Sequence, residues 1–469
     1  MSGLRDGGGE MAEIEDRAAG DKAARRRIWG WWFYDWASQP YATLLLTFIF
    51  APYVKDLLGD GSAAQAAWGY GVGAAGLIVA LLAPCLGAVA DLNGHRMPWI
   101  ALFSVFYVLG AAGLWFADPT GFSLPLILCF FGLGLVGMEF SAIFVNAMLP
   151  DLGPRDELGR ISGSGWAFGY VGGLIALVLT LAFFAENEAG RTLLGRAPAF
   201  GLDPETREGT RFVGPFVAIW YAVSMLPFFL WVRLPQSPRR ATLRQALGQV
   251  GPELSATLRR LPKTPSLSAY LLSSMVYRDA LNGMYVFGGI YAAGVLGWSV
   301  VDVGLFGILA VVTAALVAWL GGKADRRFGP KPVILVCLVA LIAAAVLAIS
   351  ISRTTVLWLP VAPGSTLPDL AYYLVGAVIG AAGGALQSAS RTMMVRQANP
   401  ARMTESFGLY ALSGKATAFL APMSIGLVTD LTGSQPAGII PLVVLFLLGL
   451  GLLGFVRAEG ERADRWPTP

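Results

Sequence analysis

The sequence predicts an all-α membrane protein of twelve transmembrane helices in two six-helix halves, with both termini cytoplasmic. Three observations carry that expectation: an excess of apolar residues, the length of the blocks they form, and a lopsided distribution of Lys and Arg. Of 469 residues, 55% are apolar and only 14% charged, against roughly 25% charged in a soluble domain. Mean hydropathy is +0.62. The apolar blocks lack the period-two alternation of an outer-membrane barrel.

A helix that crosses hydrocarbon needs about 20 apolar residues. Twelve runs qualify: 29–54, 66–90, 98–117, 122–149, 160–185, 212–234, 266–296, 300–322, 331–351, 367–396, 403–430 and 437–456. The first is too long for a signal segment and lacks a convincing cleavage site, so it is expected to stay as helix 1. With both termini inside, six of the 34 Lys and Arg fall outside (Lys55, Arg191, Arg196, Arg207, Arg211, Arg353), three lie within helices, and the other 25 are cytoplasmic. That asymmetry follows the positive-inside rule.

The predicted organisation is a cytoplasmic tail 1–28, an N-terminal half 29–234, a cytoplasmic basic linker 235–265, a C-terminal half 266–456 and a cytoplasmic tail 457–469. The central basic run, Arg233, Arg239, Arg240, Arg244, Arg259, Arg260 and Lys263, reads as a lipid-attracted connection rather than a ligand site. Trp31 and Trp32, beside Arg25 to Arg27, read as an interfacial aromatic belt.

Several chemistries are excluded. The polar stretches 1–28, 186–211 and 233–265 are too short for an independent core, which rules out an attached ATPase. The string from Gly408 to Ala416 has the wrong glycine spacing for a phosphate loop, and Ala416 stands where Ser or Thr is needed. Cys85, Cys129 and Cys337 fall in apolar segments and read as packing residues. His95 is the single histidine, in a short loop. No disulfide, metal, cofactor or nucleic-acid partner is expected. An intramembrane enzyme would need a D-D-x-x-D, H-x-x-x-H or Ser/His set, and the sequence has none.

The halves repeat. Gly87, Asp91, Gly94 and Arg96 after helix 2 correspond to Gly321, Asp325, Gly329 and Lys331 after helix 8. Tyr34-Asp35, with Tyr41 six residues beyond Asp35, is echoed by Tyr277-Arg278-Asp279, with Tyr285 six beyond Asp279. Two six-helix halves are the economical reading.

These loop residues resemble the major facilitator superfamily, whose loop between helices 2 and 3 carries a G-x-x-x-D-x-x-G-x-R/K pattern. Further segments look more closely like the autophagy-related vacuole-effluxer-like family: Tyr34 to Ala37, Asn146 to Asp151, Gly163 to Tyr170, Tyr277 to Asp279, Ser390-Arg391 and Phe407 to Thr417. The resemblance implies a major facilitator fold and a secondary transporter that rocks between inward and outward states, with relatives associated with efflux of amino acids, including leucine, from vacuoles. The antiporter pattern of helix 5 is met only in part by Gly165, Gly169, Gly172 and Gly173, since Tyr170 replaces its proline. By resemblance, Asp91, Arg96, Asp325, Arg326, Arg402 and Glu405 form a cytoplasmic gate. The loop acids Asp91 and Asp325 can cap a helix N-terminus or pair with Arg96, Arg402 or Arg326.

A charge in a helix core costs about 2.5–3.5 kcal/mol on insertion scales and is normally turned toward a partner or a water-filled cavity. Counting about 1.5 Å per residue, Arg278, Asp279 and Lys415 fall near the midplane, while Asp35, Glu139 and Arg391 fall in the cytoplasmic half. The set can neutralise itself as structural ion pairs. The superfamily resemblance places the same helices, 1, 4, 7, 10 and 11, around or beside the central cavity. Asp279 or Asp35 is expected to receive an ammonium or a coupling proton, and Arg391 or Lys415 a carboxylate. Glu139 is the third embedded acid. Asn146, Gln387 and Tyr285 complete the expected substrate-binding or coupling set, with Asn282, Trp36, Tyr41, Trp166 and Tyr410 around them.

The functional expectation is a monomeric, multi-pass carrier of small polar metabolites, amino acids or related zwitterions, in the lipid bilayer of a bacterial-type inner membrane. Export is the expected direction, and proton coupling is open. The alternatives are a carrier of organic anions and a membrane sensor or assembly partner that no longer cycles.

Overall fold

The computed structural model describes residues 7–58, 61–187, 189–233, 241–298 and 300–461. Arg239 and Arg240 of the predicted linker, and the outermost parts of both predicted tails, lie outside the described residues. Among the described residues, ten helices are long and apolar enough to cross a membrane.

The chain begins with α1 (Gly7–Pro40), which continues through a π-helical stretch, Tyr41–Phe48, into Phe50–Leu58. Pro40 causes that change of winding, because it has no N–H to give the carbonyl four residues back. The orphaned carbonyl is that of Trp36, and the Trp220 indole donates to it at 3.1 Å. Next come α2 (Gly61–Asn93), α3 (Met97–Gly113), α4 (Leu124–Asn146), α5 (Leu158–Phe183) and α6 (Val213–Ser224, continued by Leu226–Trp231). An amphipathic linker helix, Leu243–Arg260, lies against α2.

The second set is α7 (Pro265–Leu296), α8 (Val300–Phe328), α9 (Pro330–Ile349), α10 (Leu367–Gln397), α11 and α12 (Ile440–Gly454). Helix α11 is not continuous: Met403–Ala416 and Leu420–Thr432 are separate helices. Pro422, in the first turn of the second segment, favours a helix start there. Between α9 and α10 a two-stranded hairpin pairs Thr355–Val356 with Leu359–Pro360.

Helices α1 to α6 pack among themselves, as do α7 to α12. The two sets meet along α5 with α8 and α10, and along α11 with α2 and α4. The α5–α8 seam is backbone against backbone. A Cβ on Gly163 would lie 2.5 Å from the Ala318 carbonyl and 2.6 Å from Gly322 Cα, so only glycine allows that approach.

Aromatic donors tie α1 to its neighbours. Trp31 Nε1 donates to the Val145 carbonyl (2.8 Å), Trp32 Nε1 to Ile161 (2.9 Å), Tyr34 to Met138 (3.1 Å) and Tyr41 to Phe131 (2.6 Å). The expected belt is therefore corrected at Trp31, which is wholly buried, while Trp29 faces outward. A buried indole N–H needs a fixed acceptor, and the end of α4 supplies one. Asp91 and Asp325, expected in loops, lie in the last turns of α2 and α8, because both helices run on past their apolar cores.

Candidate functional site

The turns α2–α3, α4–α5, α8–α9 and α10–α11 share one end of the bundle, here called basal. Polar bonds between the two helix sets form a ladder that rises from it.

The lowest rung is at the start of α11. Asp91 accepts hydrogen bonds from the Thr404 (3.2 Å) and Glu405 (2.9 Å) amides. It thereby satisfies two donors that a helix start leaves open. Arg96 braces the same point: its Nε donates to Thr404 Oγ1 at 3.0 Å, its Nη1 pairs with Asp151 at 3.0 Å, and its Nη2 lies 3.7 Å from Asp91. Arg402 pairs with Glu405 at 3.4 Å.

The repeat-related position differs. Asp325 is 1% exposed and faces Gly159 at the start of α5, yet neither of its carboxylate oxygens has a hydrogen-bond partner. Its neighbour Arg326 pairs with Glu157, which also holds Arg160 at 2.6 Å. Glu459, just after α12, bridges the sets, with one carboxylate oxygen 3.1 Å from Arg155 and the other paired to Arg396.

The middle rung is centred on Arg391, about 9 Å up α10 from its basal end. All five of its N–H donors have partners in the first helix set. Nε donates to Ser162 Oγ (3.0 Å), Nη1 to Asp35 Oδ1 (3.3 Å) and Asn146 Oδ1 (3.1 Å), and Nη2 to Asp35 Oδ2 (3.1 Å) and the Ser162 carbonyl (3.0 Å). The guanidinium also lies over the Trp31 ring at 4.6 Å and near Trp166 at 5.4 Å. The bidentate pairing and ring stacking use what distinguishes Arg from Lys. Arg391 and Asp35 are sealed in, with side chains 4% and 13% exposed.

The upper rung is Lys415 with Glu139, N to O 2.7 Å, joining α11 to α4 about 18 Å above the start of α11. Both side chains are partly exposed.

Arg278 and Asp279 flank the break in α11. Arg278 Nη1 donates to the Tyr410 carbonyl at 3.0 Å, and the guanidinium lies 4.1 Å from the centre of the Tyr410 ring. Asp279 is buried and accepts the Ala421 amide at 2.9 Å through Oδ2. It caps the segment Leu420–Thr432, and its Oδ1 is buried without a partner. The cation thus lies toward the end of one segment and the anion at the start of the next, as helix dipoles favour.

Gln387 donates to the Tyr170 hydroxyl at 3.4 Å. Tyr285 is partly exposed, and its hydroxyl lies against Gly383. The structure therefore brings Asp35, Asn146 and Arg391 into one cluster, pairs Glu139 with Lys415, and holds Arg278 and Asp279 apart at the helix break. Sequence reasoning missed Ser162, Thr404, Asp151, Glu157, Arg155, Arg396 and Glu459. Of these, only Glu157 carries a local signal, with Arg160 three residues on.

Comparison with known proteins places this geometry. Residues 57–465 match the family described as vacuole effluxer Atg22 like. The chain is 24% identical over 439 residues to the uncharacterised MFS-type transporter YxiO of Bacillus subtilis, covering 92% of this chain and 94% of that one. It is 24% identical over 315 residues to autophagy-related protein 22 of Cryptococcus neoformans, covering 65% of this chain and 51% of that protein, so it spans about half the length of that fungal relative. Among solved structures, the proton:xylose symporter XylE superposes with a TM-score of 0.66 at 13% identity, over 94% of this chain and 98% of that one. The human organic anion transporter MFSD10 gives 0.63 at 18%, over 92% and 99%. Likeness at these identities shows a major facilitator fold.

Proposed function

Because the chain belongs to the Atg22-like vacuole effluxer family, we propose that it is a secondary active carrier that works by alternating access. In this reading it crosses the membrane twelve times, in two six-helix halves with both termini in the cytoplasm. It exports amino acids or related zwitterions across a bacterial-type inner membrane, as a monomer. The basal end is the cytoplasmic end, and the conformation is the one closed to the cytoplasm.

The observation that supports this is the Arg391 cluster. Five donors on one helix set meet acceptors on the other, so the whole network breaks if the sets part at that end. A static scaffold gains nothing from placing its most connected ion pair across a seam of bare glycines. A carrier does, because the network belongs to one of its two states and biases the equilibrium between them. Asp91, Arg96, Arg402 and Glu405 act as the cytoplasmic gate, with Asp325 and Arg326 on the opposite edge. Lys415 and Glu139 form the floor of the substrate cleft, with Gln387, Tyr285 and Arg278 on its walls. In a proton-coupled cycle Asp35, Glu139 and Asp279 are the carboxylates available to titrate.

The test is uptake and counterflow in proteoliposomes with amino acids, betaines and organic anions, with and without an imposed pH gradient. Counterflow of zwitterions supports the reading. Exclusive flux of organic anions replaces its substrate class, and binding without counterflow makes the protein a sensor.

A further inference from the structure

We propose that Arg278 is the residue that binds the anionic group of the substrate, a carboxylate in the zwitterion reading. The inference rests on the carrier reading above and deepens it by assigning one recognition contact.

It comes from accounting for the three cations placed well inside the predicted spans, Arg278, Arg391 and Lys415. Arg391 has no donor left over, and it lies 4% exposed beneath Trp31 and Trp166. Lys415 is neutralised by Glu139 at 2.7 Å. Arg278 is half-buried and, among the described residues, has no carboxylate within ion-pair distance. Nη1 alone makes a hydrogen bond, to the Tyr410 carbonyl. Among the described residues Nε and Nη2 have no hydrogen-bond partner, yet neither is sealed from solvent. A guanidinium in that state keeps two N–H donors free on one edge, in the fork geometry that matches a carboxylate.

The surroundings hold this fork in place. The Tyr410 ring lies under it at 4.1 Å, a cation–π contact that fixes the plane while leaving the edge free. Gly414 leaves the room it occupies, since a Cβ there would lie 2.6 Å from Nη1 and 2.7 Å from Cζ. Asp279, next in sequence, does not compete for Arg278, because its carboxylate is turned to the Ala421 amide on the far side of the break. Glu139 acts on Arg278 only from a distance while it contacts Lys415, so a half-buried guanidinium without a contact counter-charge is one that an arriving carboxylate would complete.

The experiment measures binding to purified full-length protein in lipid nanodiscs. The probes are the proteinogenic L-amino acids and then, for the tightest binder, its α-amide and its decarboxylated amine. Wild type is expected to prefer the acid over both neutral-end analogues by tenfold or more. Arg278→Gln should remove that preference, and Arg278→Lys should keep part of it. Gly414→Ala retains the charge but displaces it, and should weaken the acid tenfold while leaving the amide unchanged. If Arg278→Gln and Gly414→Ala both keep the acid-to-amide ratio within twofold of wild type, Arg278 is not the anchor. If wild type binds no probe at all, the amino-acid reading itself falls, and the assignment with it.

Discussion

The Arg391 cluster makes the sharpest prediction. Arg391→Ala leaves Asp35 buried and unpaired whenever the basal end is closed, and stranding one partner of a buried pair costs about 3–5 kcal/mol. At about 1.4 kcal/mol per tenfold, the equilibrium should move toward the state open at the basal end by roughly 140- to 3,700-fold. Nitroxide labels on Asp156→Cys and Phe328→Cys report it, since both positions are exposed at the basal end, one on each helix set. Cys85, Cys129 and Cys337 must first be replaced. Electron–electron resonance should then show a short-distance population giving way to a longer one. Because the cost arises from the orphaned acid, the double variant Asp35→Asn/Arg391→Ala should recover most of the shift. A folded Arg391→Ala protein with populations within threefold of wild type refutes the latch. A double variant as displaced as the single one refutes the orphan-charge account.

Other sites give independent outcomes. Asp91→Ala removes the cap on α11 and should cost about 1–2 kcal/mol, seen as faster thiol labelling of a cysteine at the buried Met403. Gly163→Val should force α5 off α8, because the new side chain meets backbone at Ala318 and Gly322; the same spin-label pair then reads mostly long distances. Glu459→Gln removes a bridge whose acid side chain is 54% exposed, so its effect should stay below about 1 kcal/mol. That effect should fade when the label distances are read at 1 M salt.

Much of the fold could be read before any coordinates, because hydrocarbon thickness is a hard constraint on run length. Helices α7 and α10 begin and end within a residue or two of the predicted runs. The break in α11 was hidden for the opposite reason. Thr417, Ala418 and Phe419 are as compatible with hydrocarbon as with a helix, and only Pro422 hinted at a new start. The charges in the core stand out in sequence, but their pairing does not. Asp35 and Arg391 are 356 positions apart, and which acid meets which base is decided by how two helix sets dock. Ser162 shows the limit most clearly, since a serine among glycines has no feature that announces two bonds to a buried arginine.

The two copies of the repeated acid have an unequal fate. Asp91 is fully engaged as a cap across the seam, whereas Asp325 lies buried beside Gly159 and faces Arg396 and Thr392 of its own helix set. The repeat keeps the residue without keeping its role, so one edge of the basal seam is fastened by its aspartate while the other aspartate is turned to partners within its own helix set. Neutralising the repeated position should therefore loosen the α2–α11 edge in the first half, and in the second act on the packing of α8 against α10 rather than on the join between the sets.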